Sequence, residues 1–208
     1  MTIQTIPTGV IKANSYLLVE GTDAVLIDCG AADKTLLAAI ERSGATLHAL
    51  LLTHGHWDHI LGAAKLQART GCPLVMHTLD EPRLGSAILS GAAKMGVLQQ
   101  PLVVDQFVND GDTLRFGAIT LEVLHTPGHT PGGVTYILRD DAQPALFTGD
   151  TLFKGTCGRT DLPGGDWPTL QQSLARLRDL PGDYAVYPGH DAPSTLGAER
   201  AHNRYMQA

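Results

Sequence analysis

The chain has 208 residues, 43% of them apolar and 17% charged, with 23 glycines and 12 prolines. That composition excludes a disordered or fibrous polypeptide, and one globular domain over residues 1–208 is expected, able to bury roughly 70% of its unfolded surface without disulfide staples. Fifteen Lys and Arg against 21 Asp and Glu leave a net charge of −6; with no basic cluster, neither nucleic acid nor membrane is expected as a partner.

Residues 14–20 and 24–28 alternate as strands of a meander around the turn Gly21-Thr22-Asp23. Asp33 can cap a following helix that buries Leu36, Leu37 and Ile40 and ends at Gly44. Residues 47–53 form a buried strand that runs into a histidine-rich loop, and the pattern predicts a helix over 59–70, then a strand over 73–77. Residues 79–94 read as helical segments broken by Gly85 and Gly91, with a loop to about 104. From Phe107 onward, strands are expected over 113–116, 119–124, 134–138 and 145–148, paired mainly antiparallel. Asp166 can cap a helix opened by Trp167-Pro168 and striped by Leu170, Leu174 and Leu177, and residues 184–187 form a last strand before Pro188-Gly189-His190. Strands then helix, twice over, suggests two similar halves whose strand-end loops meet.

Cys29, Cys72 and Cys157 are odd in number and widely spaced, so no disulfide framework or zinc ribbon is written here, and a reducing cytoplasm is the expected location. The opening 20 residues lack a basic stretch leading into an apolar run, so no export signal is expected either. Of nine histidines, three crowd into Thr53-His54-Gly55-His56-Trp57-Asp58-His59. Alternate residues project together, so His54 and His56 could hold one cation while Asp58 and His59 face a neighbouring one. Three further candidates, His129, Asp150 and His190, each follow a glycine near a strand end, in HTPGH, FTGD and YPGH. Five His and two Asp suit zinc, iron or manganese rather than calcium, and seven donors exceed one tetrahedral site. His48, His77, His125 and His202 lack ligand spacing and are expected to pack or lie at the surface, as are the Trp57 ring and the Cys157 thiol.

THGHWDH, HTPGH, FTGD and YPGH, in that order over residues 14–190, resemble the motif set of the metallo-β-lactamase superfamily. The resemblance implies an α/β fold, the αββα four-layer sandwich. It also implies that His54, His56 and His129 bind a first metal, that Asp58, His59 and His190 bind a second, and that Asp150 bridges them. Asp28, in LIDCG, would hold the histidine loop by hydrogen bonds.

Within that superfamily, Asp at 150 is unlike the β-lactamases, which place Cys there. The stretch GTCGRTD (155–161) and the ending GHDAPSTL (189–196) resemble the short bacterial glyoxalase II-like thioesterases. Only 18 residues follow His190, too few for the C-terminal helical domain with which full-length glyoxalase II binds glutathione. The implied reaction is hydrolysis of a small 2-hydroxyacyl thioester to a hydroxy acid and a thiol. Two divalent ions, zinc first among them, would share a bridging hydroxide, with Asp58 as the catalytic proton acceptor. Arg159, and with it Lys154, would meet a substrate carboxylate. CGRTD also resembles the persulfide dioxygenases, which use one iron held by residues matching His54, His56 or its neighbours, and Asp150. A metal-binding module without activity is the third reading.

Overall fold

The computed structural model describes residues 1–140 and 142–207. Six strands form a first sheet in the order β1 (Thr2–Thr8), β2 (Ala13–Glu20), β3 (Asp23–Ile27), β4 (Thr46–Leu51), β5 (Leu74–His77), β6 (Gln106–Val108). The second sheet is built from β7 (Thr113–Phe116), β8 (Ile119–His125), β9 (Val134–Leu138) and β10 (Ala145–Gly149). After the small hairpin β11 (Leu152–Phe153) and β12 (Thr156–Cys157), β13 (Ala185–Pro188) and β14 (Ser194–Thr195) complete it in the order β14-β13-β10-β9-β8-β7. Helices α1 (Lys34–Ser43) and α3 (Ala63–Thr70) cover the first sheet, and α6 (Trp167–Arg178) and α7 (Leu196–His202) the second.

Three apolar layers make this a four-layer αββα sandwich. Side chains alternate along each strand, so Leu17, Leu26, Leu50 and Leu74 face α1 and α3 while Tyr16, Val25, Ala49 and Val75 face the other sheet. Burial on both faces explains why β3 and β4 read as unbroken apolar runs. Beyond the second sheet, Leu146 and Ile137 meet Leu170, Leu174 and Leu177 of α6. The expected caps are present: Asp33 accepts from the Leu36 N–H at 2.9 Å, Gly44 closes α1 in the left-handed region, and Asp166 accepts from the Thr169 N–H at 2.9 Å.

Several elements depart from the sequence reading. The mostly polar, exposed β1 is an edge strand without alternation strong enough to announce it. The helix expected over 59–70 is two pieces, α2 (Trp57–Ile60) and α3, because the chain bends at Gly62, where a Cβ would come within 2.4 Å of the Ala32 backbone. In the obscure middle segment, short helices α4 (Glu81–Leu84) and α5 (Ala92–Met95) are joined by turns. Among the described residues no helix is long and apolar enough to cross a membrane.

Strand ends of the two sheets meet along one edge. The Val134 N–H donates to Thr53 O at 2.9 Å and the Tyr136 hydroxyl to Leu52 O at 2.9 Å, joining β9 to the end of β4. On the other flank, the Tyr16 hydroxyl and Asn14 Nδ2 both donate to Pro188 O, at 2.5 and 3.0 Å, fixing the turn that carries His190.

Candidate metal centre

Each expected donor sits where a strand stops and the chain turns. His54 and His56 follow β4, Asp58 and His59 open α2, His129 lies in the β8–β9 loop, Asp150 follows β10 and His190 follows β13. Besides a buried group of Asp28 with His54 and His59, two trios result: donor atoms of His54, His56 and His129 lie within 4.8 Å of one another, and so do those of Asp58, His59 and His190. Asp150 stands between them, Oδ1 at 3.4 Å from His59 Nε2 and Oδ2 at 3.4 Å from His129 Nε2 and 3.7 Å from His190 Nε2.

These spacings fit metal ions. A tetrahedral ion with bonds of about 2.0–2.1 Å separates its donors by about 3.3 Å. His59 Nε2 is 3.4 Å from both Asp58 Oδ2 and His190 Nε2, which are themselves 3.0 Å apart; in the first trio His56 Nδ1 and His129 Nε2 stand at a hydrogen-bond distance of 2.8 Å, which an ion between them would open by roughly 0.5 Å. His54 Nε2 and Asp150 Oδ1 are buried without any hydrogen-bond partner, an arrangement costly for polar atoms unless a cation completes them.

Outer contacts aim the imidazoles. His129 Nδ1–H donates to Arg159 O at 2.7 Å, and His59 Nδ1–H to Asp28 Oδ2 at 2.8 Å, turning both Nε2 atoms inward. His54 Nδ1–H meets Thr53 Oγ1 at 3.0 Å, and that hydroxyl donates in turn to Asp28 Oδ2 at 2.7 Å. Asp28 Oδ1 accepts the Thr53 N–H at 2.8 Å. Asp28 is thus buried support, and the relay through Thr53 escaped the sequence reading even though Thr53 stands beside His54.

The protonation pattern separates the trios. Burial and the surrounding imidazoles push His54 well below the ordinary histidine range and His56 down to about 3, so both offer lone pairs at neutral pH. Burial opposes charge on His59 too, but Asp58, Asp150 and Asp28 outweigh it and hold that imidazole well above its usual value. Burial likewise works to raise Asp58 and Asp150, yet His59 and its neighbours win: Asp58 falls well below the carboxylate range and Asp150 to about 2.

The donors open into a cavity of about 510 Å³ walled by Trp57, Met95, Phe153 and Leu162. Lys94, on α5, lines it; its ammonium makes no hydrogen bond or ion pair among the described residues, and nothing in the sequence pattern of that segment singled it out. Arg159 also lines the cavity, but its guanidinium is forked onto Asp161, with both bonds 2.6 Å. Lys154 is exposed and outside the lining. His125 is not brought to the centre. It stacks on His77, ring centroids 4.2 Å apart, and its Nε2 meets Pro131 O at 2.9 Å. His48 pairs with Asp23 at 2.7 Å, and His202 is exposed.

The family model of the metallo-β-lactamase superfamily matches residues 8–190. The chain belongs to this superfamily. It is 32% identical over 212 residues to the hydroxyacylglutathione hydrolase GloC of Haemophilus influenzae, covering 100% of this chain and 99% of that one. Over 202 residues it is 33% identical to the probable metallo-hydrolase YqgX of Bacillus subtilis, covering 96% of this chain and 95% of that one. Among solved structures, the B3 metallo-β-lactamase BLEG-1 superposes with a TM-score of 0.90 at 34% identity, with 100% of both chains covered. TTHA1623 in a di-iron-bound form does so with 0.86 at 38%, over 97% of this chain and 99% of that one. ETHE1 from Myxococcus xanthus gives 0.78 at 29%, over 98% and 84%. As a superfamily member with this His/Asp cluster, the chain is a metal-dependent enzyme of hydrolase type.

Proposed function

We propose that the chain hydrolyses small thioesters with two metal ions, converting a 2-hydroxyacyl thioester and water into a hydroxy acid and a thiol. The observation that carries this reading is Asp150, whose carboxylate faces both donor trios at one end of a largely apolar cavity. His54, His56 and His129 would hold one ion and Asp58, His59 and His190 the other, with Asp150 shared. Zinc suits these donors, as do iron and manganese. When bound, the ions supply Lewis acidity, polarising a carbonyl and lowering the pKa of water from about 15.7 to about 7.

The chain's own groups do the rest. Asp58, ionised and 3.0 Å from His190 through its Oδ2, is placed to take up the proton that the attacking water gives up. The cavity thiol of Cys157 does not compete as a nucleophile, because burial pushes it up to about 11 and keeps it protonated at neutral pH. Trp57, Met95, Phe153 and Leu162 accept the apolar parts of a thioester, and Lys94, whose charge also acts on Asp161, offers an ammonium to a carboxylate on either half. A thiolate leaving group needs little protonation. Likeness to GloC along the whole chain supports the thioester assignment.

Elemental analysis of protein purified without added metal, paired with turnover of a 2-hydroxyacyl glutathione thioester, tests this. Two ions per chain and hydrolysis are expected. One iron with oxygen uptake on a thiol persulfide would replace the reading with a persulfide dioxygenase. Faster β-lactam than thioester turnover would make it a lactamase, and bound metal without turnover a binding module.

A further inference from the structure

Outside the donor set, a buried ion pair lies behind the cavity: Asp80 is 0% and Arg83 4% exposed, with Arg83 Nε donating to Asp80 Oδ1 at 3.2 Å. Its bonds reach four separate segments. Asp80 Oδ2 accepts the N–H of Gly55, the residue between His54 and His56, at 2.8 Å. Asp80 Oδ1 accepts the N–H of Gly132, in the loop that carries His129, at 2.7 Å. Arg83 Nη1 donates to Leu89 O, and Nη2 to Pro163 O at 2.7 Å, beside the two stretches that wall the cavity.

Both loops are shaped to receive the pair. A Cβ on Gly55 would stand 2.8 Å from Arg83 Cβ, and one on Gly132 would stand 2.6 Å from the Asp80 backbone nitrogen. Glycine at these places is therefore required by close approach. A buried ion pair is weak evidence for stability, since apolar replacements of similar volume often do as well. What this pair adds is direction: a two-oxygen acceptor and a rigid three-nitrogen fork fix four backbone groups relative to one another.

We propose that Asp80 and Arg83 are positioning residues for the first metal site, Asp80 setting the distance between the His54–His56 loop and the His129 loop, and Arg83 tying the cavity walls to that frame. The proposal rests on the two-site reading of the donors. The second site is held by contacts that include neither Asp80 nor Arg83, His59 by Asp28, which also braces Thr53 beside His54, and the His190 turn by Asn14 and Tyr16, so the two sites should respond differently to Asp80.

Zinc affinity measured by chelator competition in two single-site backgrounds tests this. In His190→Ala, which leaves the first trio, Asp80→Asn should weaken zinc by about 10-fold or more, because an amide nitrogen would face one of the two N–H groups. In His56→Ala, which leaves the second trio, the same change should stay within about threefold. Equal weakening in both backgrounds, or none in either, would overturn the proposal. If the unaltered protein bound one ion only, the two-site reading would fail instead, and Asp80→Asn would then be judged on that single affinity, where an unchanged value overturns the proposal. Should Asp80→Asn not fold, Arg83→Lys still decides. It keeps a cation beside Asp80 but loses the Leu89 and Pro163 bonds, so amide exchange over residues 86–97 should quicken while other amides hold. Unchanged exchange there would overturn the proposal.

Discussion

Replacing Asp28 by Asn leaves the side chain nearly the same size and reverses one end of its hydrogen bonding. The amide oxygen can keep the Thr53 N–H, now 2.8 Å from Oδ1, but an NH₂ group then faces the Thr53 hydroxyl and the His59 Nδ1–H, which lie 2.7 and 2.8 Å from Oδ2. Donor meets donor. His59 can escape by moving its proton to Nε2, the atom 3.4 Å from Asp58, Asp150 and His190, and a protonated Nε2 cannot bind an ion. Loss of such an outer contact costs 10- to 100-fold in metal affinity, or about 1.4–2.7 kcal/mol. In the metal-free protein the mismatched buried donors should cost a further 1–3 kcal/mol, roughly, of stability. Chelator competition followed stepwise, with thermal melts of the apo and loaded forms, reads both quantities. An Asp28→Asn protein that kept two ions, each within about threefold of the unaltered affinity, would refute the reasoning.

His129→Gln should empty the first site whereas His125→Gln should leave metal content unchanged, since His125 is engaged with His77 and Pro131; elemental analysis of the two variants decides. Lys94→Gln should raise KM for a carboxylate-bearing thioester by roughly 10-fold or more with kcat and neutral substrates little affected, and Arg159→Ala, already paired with Asp161, should do less. Steady-state kinetics on both substrate types checks the order, and a larger effect at Arg159 would restore that residue as the carboxylate grip. Asp110 accepts the His125 N–H at 2.8 Å and two bonds from Arg176, and these outweigh burial to hold its carboxyl below the ordinary range. A depressed folded pKa means stability present above about pH 4 and lost as pH falls through the folded value, amounting to about 1 kcal/mol or less for so exposed a pair. Asp110→Asn should therefore melt lower than the unaltered protein at neutral pH and converge with it in acid; a gap that stayed constant with pH would refute this.

How much of this was legible in the sequence depended on the range of the interaction involved. Strands β2 to β4, α1 and α6 announced themselves because burial and capping act within a few residues: Asp33 with Leu36, Asp166 with Thr169, leucines at helical spacing. The seven candidate donors were legible for a different reason: five of them stand beside a glycine near a strand end, and Asp58 and His59 crowd against two of those five, a density of imidazoles and carboxylates that points to a cation. Their division into two trios was implied by the family resemblance, and the structure shows side chains in that arrangement. β1 stayed hidden because an edge strand buries few side chains, and β14 because two residues leave no pattern.

The segment from Leu79 to about Val104 was opaque because its order is imposed from outside. Its helices are four residues long, below what propensity can hold, and they stand because Arg83 reaches Leu89 and Pro163 while Gln99 Nε2 donates to Arg83 O and Leu84 O, at 2.7 and 2.6 Å. None of these contacts leaves a periodic trace. Yet this stretch supplies Asp80 behind the first trio and Lys94 and Met95 at the cavity wall. The candidate metal donors are strand-end residues whose positions the two sheets determine, while several groups that would choose among substrates sit on a segment held mainly by tertiary contacts, among them the Asp80–Arg83 pair, Gln99, the Trp57 N–H to Ser90 O bond at 3.1 Å and Leu84 in the core. Apart from Asp80, Arg83 and the core residue Leu84, such a segment can change sequence without disturbing the sheets, so differences in substrate between chains sharing this metal centre should concentrate between residues 85 and 104 and in the loop around Arg159. Exchanging residues 88–98 for those of GloC is the direct trial: metal content should hold while KM shifts, and loss of metal would show that the wall and the centre are one unit.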